Sequence, residues 1–90
     1  MSDWEEHKAK ILARLKRAEG QVRGIIQMVE REDDCEKVAQ QMAAVRKALD
    51  RAFYDMMACM TRRELMAAGV SNKKALERID WMGDVLARYG

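Results

Sequence analysis

The 90-residue chain contains no proline, one histidine and two cysteines. Because proline, the strongest helix breaker, is absent, long uninterrupted helices are possible. A single histidine excludes a site built from several histidines of one chain. Serine, threonine and histidine are too scarce for a catalytic triad, and neither a glycine-rich phosphate loop nor a Cys-x-x-Cys pair occurs. We therefore expect a protein that is not an enzyme.

Long apolar runs are also missing, since no stretch approaches the roughly 20 residues that span a bilayer. The first six residues, Met-Ser-Asp-Trp-Glu-Glu, lack the basic start of a signal peptide. These two absences predict a cytoplasmic protein without a membrane partner. In a reducing compartment, Cys35 and Cys59 are expected to be free thiols, metal ligands or redox partners rather than a structural disulfide.

Apolar residues make up 49 % of the chain and charged residues 36 %, a composition typical of long amphipathic helices. A chain of this size buries only about 60–65 % of its surface when it folds alone. Self-association is therefore expected to complete the hydrophobic core.

Two runs of apolar residues follow alternating spacings of three and four, the pattern of a helix that packs against another helix. They predict helix one at about 3–31 and helix two at about 34–68, and a shorter pattern predicts helix three at about 72–89. No strand pattern competes, so the sequence predicts an all-α fold in one domain, 1–90. The runs are Ile11, Leu15, Ala18, Val22, Ile25 and Val29, then Val38, Met42, Val45, Leu49, Ala52 and Met56.

Residues typical of helix ends stand near these boundaries. Gly20 and Gly24 lie inside helix one, where a glycine costs about 1 kcal/mol relative to alanine. We interpret them as sites of close local packing. The end signals are a capping box from Ser2 to Glu5, an N-cap at Asp33 or Asp34, a C-terminal stop at Gly69 and an N-cap at Ser71.

Charge is distributed unevenly, because residues 8–23 carry a net charge of +5 and residues 30–36 carry −4. A basic segment of this kind indicates a polyanionic partner such as DNA. The alternative is a solvated helix face, in which case the chain is a helical interaction module without DNA binding. The candidate DNA-binding stripe consists of Lys10, Arg14, Arg17 and Gln21, extended on helix two by Arg46, Lys47 and Arg51.

Cys35 stands in the first turn of helix two, and Met60 and Glu64 return to within about 20° of its face. Met60 lies near 37 Å from Cys35 along the helix at about 1.5 Å per residue, and Glu64 lies farther, so one chain cannot bring them together. Two copies of helix two that pack antiparallel would place Cys35 against Cys59, Met60 and Glu64 of the partner. The heptad count turns Cys59 toward the same interface, and His7 is a candidate additional ligand.

Three blocks in this order, Arg14 to Ile26, Cys35 and Gln41 to Leu49, resemble the copper-sensitive operon repressor family. That family includes nickel/cobalt, formaldehyde and persulfide sensors. The resemblance covers roughly residues 7–88. It implies an antiparallel four-helix-bundle dimer, a dimer-of-dimers tetramer, and release of operator double-stranded DNA by an effector. It also implies DNA contacts from Arg14, Arg17, Gln21 and Arg51, and sensing positions at Cys35, Met60 and Glu64.

Met60 and Glu64 differ from the histidines and cysteines that the metal sensors of the family carry at these positions. The sequence therefore favours a repressor switched by thiol chemistry at Cys35, with a persulfide or aldehyde effector and Cys59 of the partner as a possible resolving thiol. The alternative is a sensor of Cu(I) or another soft metal that uses Cys35 with Met60 or Cys59 and with His7. No cofactor is obligatory in either hypothesis.

Overall fold

The computed structural model describes residues 3–90 and contains three α-helices, α1 (Asp3–Glu30), α2 (Cys35–Ala67) and α3 (Lys73–Tyr89). No strand occurs in this range, so the predicted all-α, three-helix subunit is confirmed. None of the helices in the described range is long and apolar enough to cross a membrane. The capping box predicted from Ser2 lies outside the described residues.

Helix α2 is the centre of the subunit, because both α1 and α3 pack against it. Near its middle, α2 meets α1 where Arg14 contacts Asp55. On the α3 side, a Cβ at Gly83 would lie 3.0 Å from the Cβ of Ala58, so only a small residue permits this approach. The resulting subunit is a thin layer with extents of 54 × 25 × 15 Å.

The two apolar runs predicted as single interfaces each divide between two sides of their helix. Ile11 and Ala18 of α1 are buried, whereas Leu15 and Val22 from the same run are exposed. Helix α2 repeats this division. Its buried members are Val45 and Ala52, and its exposed members are Met42 and Leu49.

The turn between α1 and α2 closes without glycine, because Glu32 adopts a left-handed conformation with φ of 59°. The amides of Glu32 and Asp33 donate back to the carbonyls of Val29 and Met28, at 3.0 Å each. Arg31 donates to the Asp33 carboxylate at 2.8 Å, and this hydrogen bond lowers the pKa of Asp33. The predicted N-cap is found at Asp34, whose side chain accepts from the amide of Lys37.

The turn between α2 and α3 contains the predicted stop at Gly69, which has φ of 90°. The amide of Val70 donates to the Leu65 carbonyl and that of Gly69 to the Met66 carbonyl, a Schellman arrangement. Ser71 was the wrong N-cap for α3. Asn72 caps it instead, since its Oδ1 reaches the amides of residues 74 and 75. An amide oxygen on a short stem serves that position as well as a hydroxyl does.

Gly20 and Gly24 do not mark close packing within the subunit. A Cβ built at either position meets no atom within 4 Å. The interpretation of these glycines as local packing sites is therefore wrong for a single chain.

Candidate functional site

The residues predicted to contact DNA line one groove on one side of the α1–α2 layer. Its volume is about 490 Å³. We call it the basic groove, because five of its nine lining residues are cations and none is a carboxylate. The structure thus brings together six of the seven residues of the candidate DNA-binding stripe, all except Arg46. The lining residues are Lys10, Ala13, Arg14, Arg17 and Gln21 of α1 with Ala44, Lys47, Ala48 and Arg51 of α2.

Helix geometry determines which cations of α2 reach the basic groove. Lys47 and Arg51 are four residues apart and share a face, as expected for an α-helix. Arg46 does not line the groove, and the expectation that it extends the DNA-binding stripe is wrong. At about 100° per residue, Arg46 falls on the side of Leu49 and Phe53.

A buried carboxylate lies directly behind the basic groove. Asp55 is only 4 % exposed. Its Oδ2 accepts a hydrogen bond of 2.6 Å from Nε of Arg14, and its Oδ1 lies 3.6 Å from Nζ of Lys10. Lys10 also lies 3.6 Å from Asp84 of α3. These ion pairs connect the α1 cations to both other helices.

The opposite side of the layer is an exposed apolar surface, which we call the apolar face. In α2, Met42, Leu49 and Phe53 return to one direction at spacings of seven and four. Phe53 is 57 % exposed, an unusual state for a large aromatic side chain in a subunit of this size. The face comprises Leu12, Leu15, Val22, Ile26 and Val29 of α1 with Met42, Leu49, Phe53 and Met60 of α2.

Three of the proposed sensing residues lie on the exposed side of α2. Cys35, Met60 and Glu64 are all exposed, and Met60 is 51 % exposed. At about 100° per residue, the directions of Met60 and Glu64 each lie within about 20° of that of Cys35. Within one chain, about 37 Å of helix separates Cys35 from Met60 at 1.5 Å per residue. A common site therefore requires two chains.

Cys59 does not share this exposed side. It is 2 % exposed and lies inside its own subunit. In a regular helix it continues the heptad series of Val38, Val45 and Ala52, of which Val45 and Ala52 are also buried. The expectation that Cys59 turns toward a partner helix is therefore wrong.

His7 is also placed away from Cys35 and Met60. Its Nε2 lies 3.4 Å from the Asp80 carboxylate, which also pairs with Arg62. A cleft on the basic side of the layer contains His7 together with Asp55 and Asp84. The structure therefore separates His7 from the apolar face, and the grouping of His7 with Cys35 and Met60 as metal ligands is not found in this chain.

The exposed side of α2 carries three side chains that can donate to a metal ion, Cys35, Met60 and Glu64. Among residues 3–90, no three His, Cys, Asp or Glu side chains lie close enough to hold one. A site shared by two chains would offer the thiolate of Cys35 and the thioether of Met60, which are soft donors suited to Cu(I). The carboxylate of Glu64 is a hard donor and does not suit that ion.

The sequence interpretation missed the buried charged residues Asp55 and Arg62. A signal for Asp55 was present, because it stands three residues after Ala52 and four before Cys59, both of which face inward. A carboxylate at that spacing falls on the inner edge of the helix. No comparable signal identifies Arg62, whose partner Asp80 lies 18 residues further along the chain.

The family of this chain is shown by its similarity to known proteins. The family model described as metal-sensitive transcriptional repressor matches residues 7–88. This chain belongs to that family. It is therefore placed among transcriptional repressors rather than enzymes, in agreement with the basic groove, and the description of the family is compatible with a soft metal ion as a ligand that is not obligatory.

A curated relative from Serratia marcescens, an uncharacterized protein in the bioA 5' region, is 30 % identical over 89 residues. The match covers 99 % of this chain and 98 % of the relative. No solved structure matches significantly. The subtype within the repressor family therefore has to be argued from this chain's own residues.

Proposed function

We propose that this repressor binds duplex operator DNA through the basic groove and releases it when Cys35 is modified or ligated. The observation that carries the proposal is the groove itself, which collects five cations from two helices without a lining carboxylate. A solvated face would interleave both signs of charge. Because the partner is duplex DNA, the proposed place of action is the cytoplasm.

The basic groove suits the DNA backbone. Its arginines and lysines can neutralise phosphates and release counterions, which makes affinity depend strongly on salt. Gln21 lies between the cations and is half-buried; its Oε1 is buried, so its amide N–H groups are the donors left for a base edge. Arg51 adds a contact from α2, so both α1 and α2 contact the DNA backbone in this proposal.

The sensing site in this proposal forms between two copies of the chain. Exposed apolar side chains on both α1 and α2 favour burial against a second copy. When residue 35 is reflected through the midpoint between Met42 and Phe53, it meets residue 60 of an antiparallel partner. Cys35 of one copy then lies beside Met60 and Glu64 of the other. A dimer of such dimers remains the proposed assembly.

Cys35 is the thiol on which effector chemistry is proposed to occur. Its exposure permits attack on a persulfide or an aldehyde, and its place in the first turn of α2 puts helix-end amides near a thiolate. A resolving role for Cys59 of the partner requires that buried thiol to become accessible, so burial argues against it.

Sensing of Cu(I) is the second candidate, favoured by the exposure of Met60 on the same side of α2 as Cys35. When bound, the ion would supply a coordination link between two subunits. Cys35 and Met60 would hold it. Intact mass after treatment with persulfide or formaldehyde, compared with a titration of the reduced protein with Cu(I), separates the two candidates. A mass increase confined to Cys35 supports thiol sensing, and stoichiometric Cu(I) binding lost in Met60→Ala supports metal sensing.

The DNA proposal is tested with the duplex immediately upstream of the gene for this chain. Arg17 lines the basic groove, whereas Arg23, on the same helix, does not. We expect Arg17→Ala to reduce the slope of log affinity against log salt by about one. Arg23→Ala removes the same charge and should change the slope far less.

The alternative of a helical interaction module without DNA binding predicts a different result. Retention of the duplex would then be weak at low salt and equally affected by Arg17→Ala and Arg23→Ala. That outcome would end the repressor proposal for this groove.

A further inference from the structure

We propose that Asp55 is a positioning residue of the DNA interface, which holds Arg14 so that the end of its guanidinium remains available to a phosphate. This inference rests on the proposed function of the basic groove. Asp55 itself does not line that groove, whereas Arg14 does.

The geometry at Asp55 gives each carboxylate oxygen a cation from α1. Oδ2 accepts from Nε of Arg14 at 2.6 Å, and Oδ1 faces Nζ of Lys10 at 3.6 Å. The carboxylate is almost fully buried, and a buried charge is tolerated only when it is paired. Asp55 thus ties two groove cations of α1 to α2.

The atom through which Arg14 is held matters for DNA binding. A guanidinium has five N–H donors, one on Nε and four on the two Nη atoms. In residues 3–90, Asp55 engages only Nε, and neither Nη atom of Arg14 has a hydrogen-bond partner. The side chain is 31 % exposed, so these four donors remain for a phosphate.

A second carboxylate nearby provides a contrast to Asp55. Asp84 lies 3.6 Å from Lys10 and is 58 % exposed, but within residues 3–90 it forms no ion pair with Arg14. Both carboxylates repel a phosphate through space. Only Asp55 orients an arginine of the groove. Simple repulsion predicts that loss of either carboxylate strengthens DNA binding, whereas positioning predicts that loss of Asp55 weakens it.

The experiment compares Asp55→Asn with Asp84→Asn on the duplex immediately upstream of the gene. Asparagine keeps the shape of aspartate and removes its charge. We expect Asp55→Asn to weaken binding roughly tenfold, which is the usual size of one lost charge-assisted hydrogen bond. Its salt slope should fall by about one, since one phosphate contact is lost. Asp84→Asn should bind as tightly as the unmodified protein or more tightly.

Two further variants distinguish positioning from structural support. In an Arg14→Ala background, Asp55→Asn should cause no additional loss, because the positioned side chain is absent. Arg14→Lys keeps the charge but has a single nitrogen, which cannot occupy both Asp55 and a phosphate. It should therefore reduce the salt slope as Arg14→Ala does, and it decides the question if Asp55→Asn does not fold.

The outcomes separate this inference from the proposed function. If the unmodified protein binds the duplex with strong salt dependence but Asp55→Asn binds equally well or better, Asp55 has no positioning role and the DNA proposal stands. If Arg14→Lys retains the full salt slope, the positioning role of Asp55 is likewise excluded and the DNA proposal stands. If the unmodified protein itself shows no salt-dependent binding, the DNA proposal fails and this inference fails with it.

Discussion

The two sides of the α1–α2 layer are built on the same helices and differ in how their side chains are satisfied. On the basic side, Lys10 and Arg14 already have partners, because Asp55 pairs with both of them. On the apolar face, Leu49 and Phe53 remain 44 % and 57 % exposed in their own chain. The cations of one side are held by ion pairs within their own chain, whereas large apolar side chains of the other side remain exposed.

The regular apolar spacing in α1 and α2 predicted one interface for each helix, whereas each run contains both buried and exposed residues. A run with alternating steps of three and four covers a stripe broad enough for two contacts. Ile11 and Ala18 occupy the inner edge of that stripe, and Leu15 and Val22 occupy the outer edge. Periodicity therefore identifies apolar residues but not the chain against which each one packs.

The largest expected effect comes from placing a charge on the apolar face. Leu49→Glu should abolish self-association, because burial of an unpaired carboxylate costs several kcal/mol. Lys47→Glu is the matched control, two residues away on the opposite side of α2. It should leave the assembly intact and abolish DNA binding. Sedimentation equilibrium and a DNA-binding titration check the pair, and an unchanged assembly of Leu49→Glu would show that the apolar face is not an interface.

An intermediate effect on the effector response is expected from substitution of the two cysteines, which differ in exposure. Cys35→Ser should keep DNA binding and lose the effector response. In typical allosteric proteins, such a response corresponds to a coupling free energy of about 1–3 kcal/mol. Cys59→Ser should retain the response, because a thiol that is 2 % exposed is shielded from the effector. DNA-binding titrations with and without effector measure this difference. A response that survives in Cys35→Ser but disappears in Cys59→Ser would reverse the assignment.

The smallest effect concerns the turn at the end of α1, away from both sides of the layer. Glu32→Gly should stabilise the protein by about 1 kcal/mol, because glycine adopts φ near 59° without the strain of a side chain. Glu19→Gly, at an exposed position inside α1, should destabilise it by about the same amount. Thermal unfolding followed by circular dichroism measures both, and shifts of equal sign would contradict the role assigned to Glu32.

Local signals predicted the helix ends well where one residue type has a distinct backbone role. Gly69 has the positive φ expected of a helix stop, and Asp34 caps α2. Ser71 failed as the cap of α3 because the neighbouring Asn72 has an equally suitable side chain. Local sequence does not distinguish between two adjacent candidate caps, since the choice depends on the path of the loop that precedes the helix.

The candidate site was predictable to the extent that it lies along single helices. Lys10, Arg14 and Arg17 share a face by spacing alone, and the structure adds that Arg51 meets them across one groove. Asp55 and the burial of Cys59 were not found, because both depend on how α1 crosses α2. Arg46 was misplaced although the rotation per residue alone puts it on the side of Leu49 and Phe53.

Residue order alone specified an all-helical chain, a basic stripe on α1 and a cysteine at the start of α2, because these features follow from composition and from a fixed rotation per residue. Packing of the helices assigned each residue to a side of the layer. It placed Asp55 beneath the basic groove, enclosed Cys59 and left Met60 exposed. These assignments depend on contacts between residues about 40 positions apart, such as Arg14 with Asp55, which no local pattern encodes.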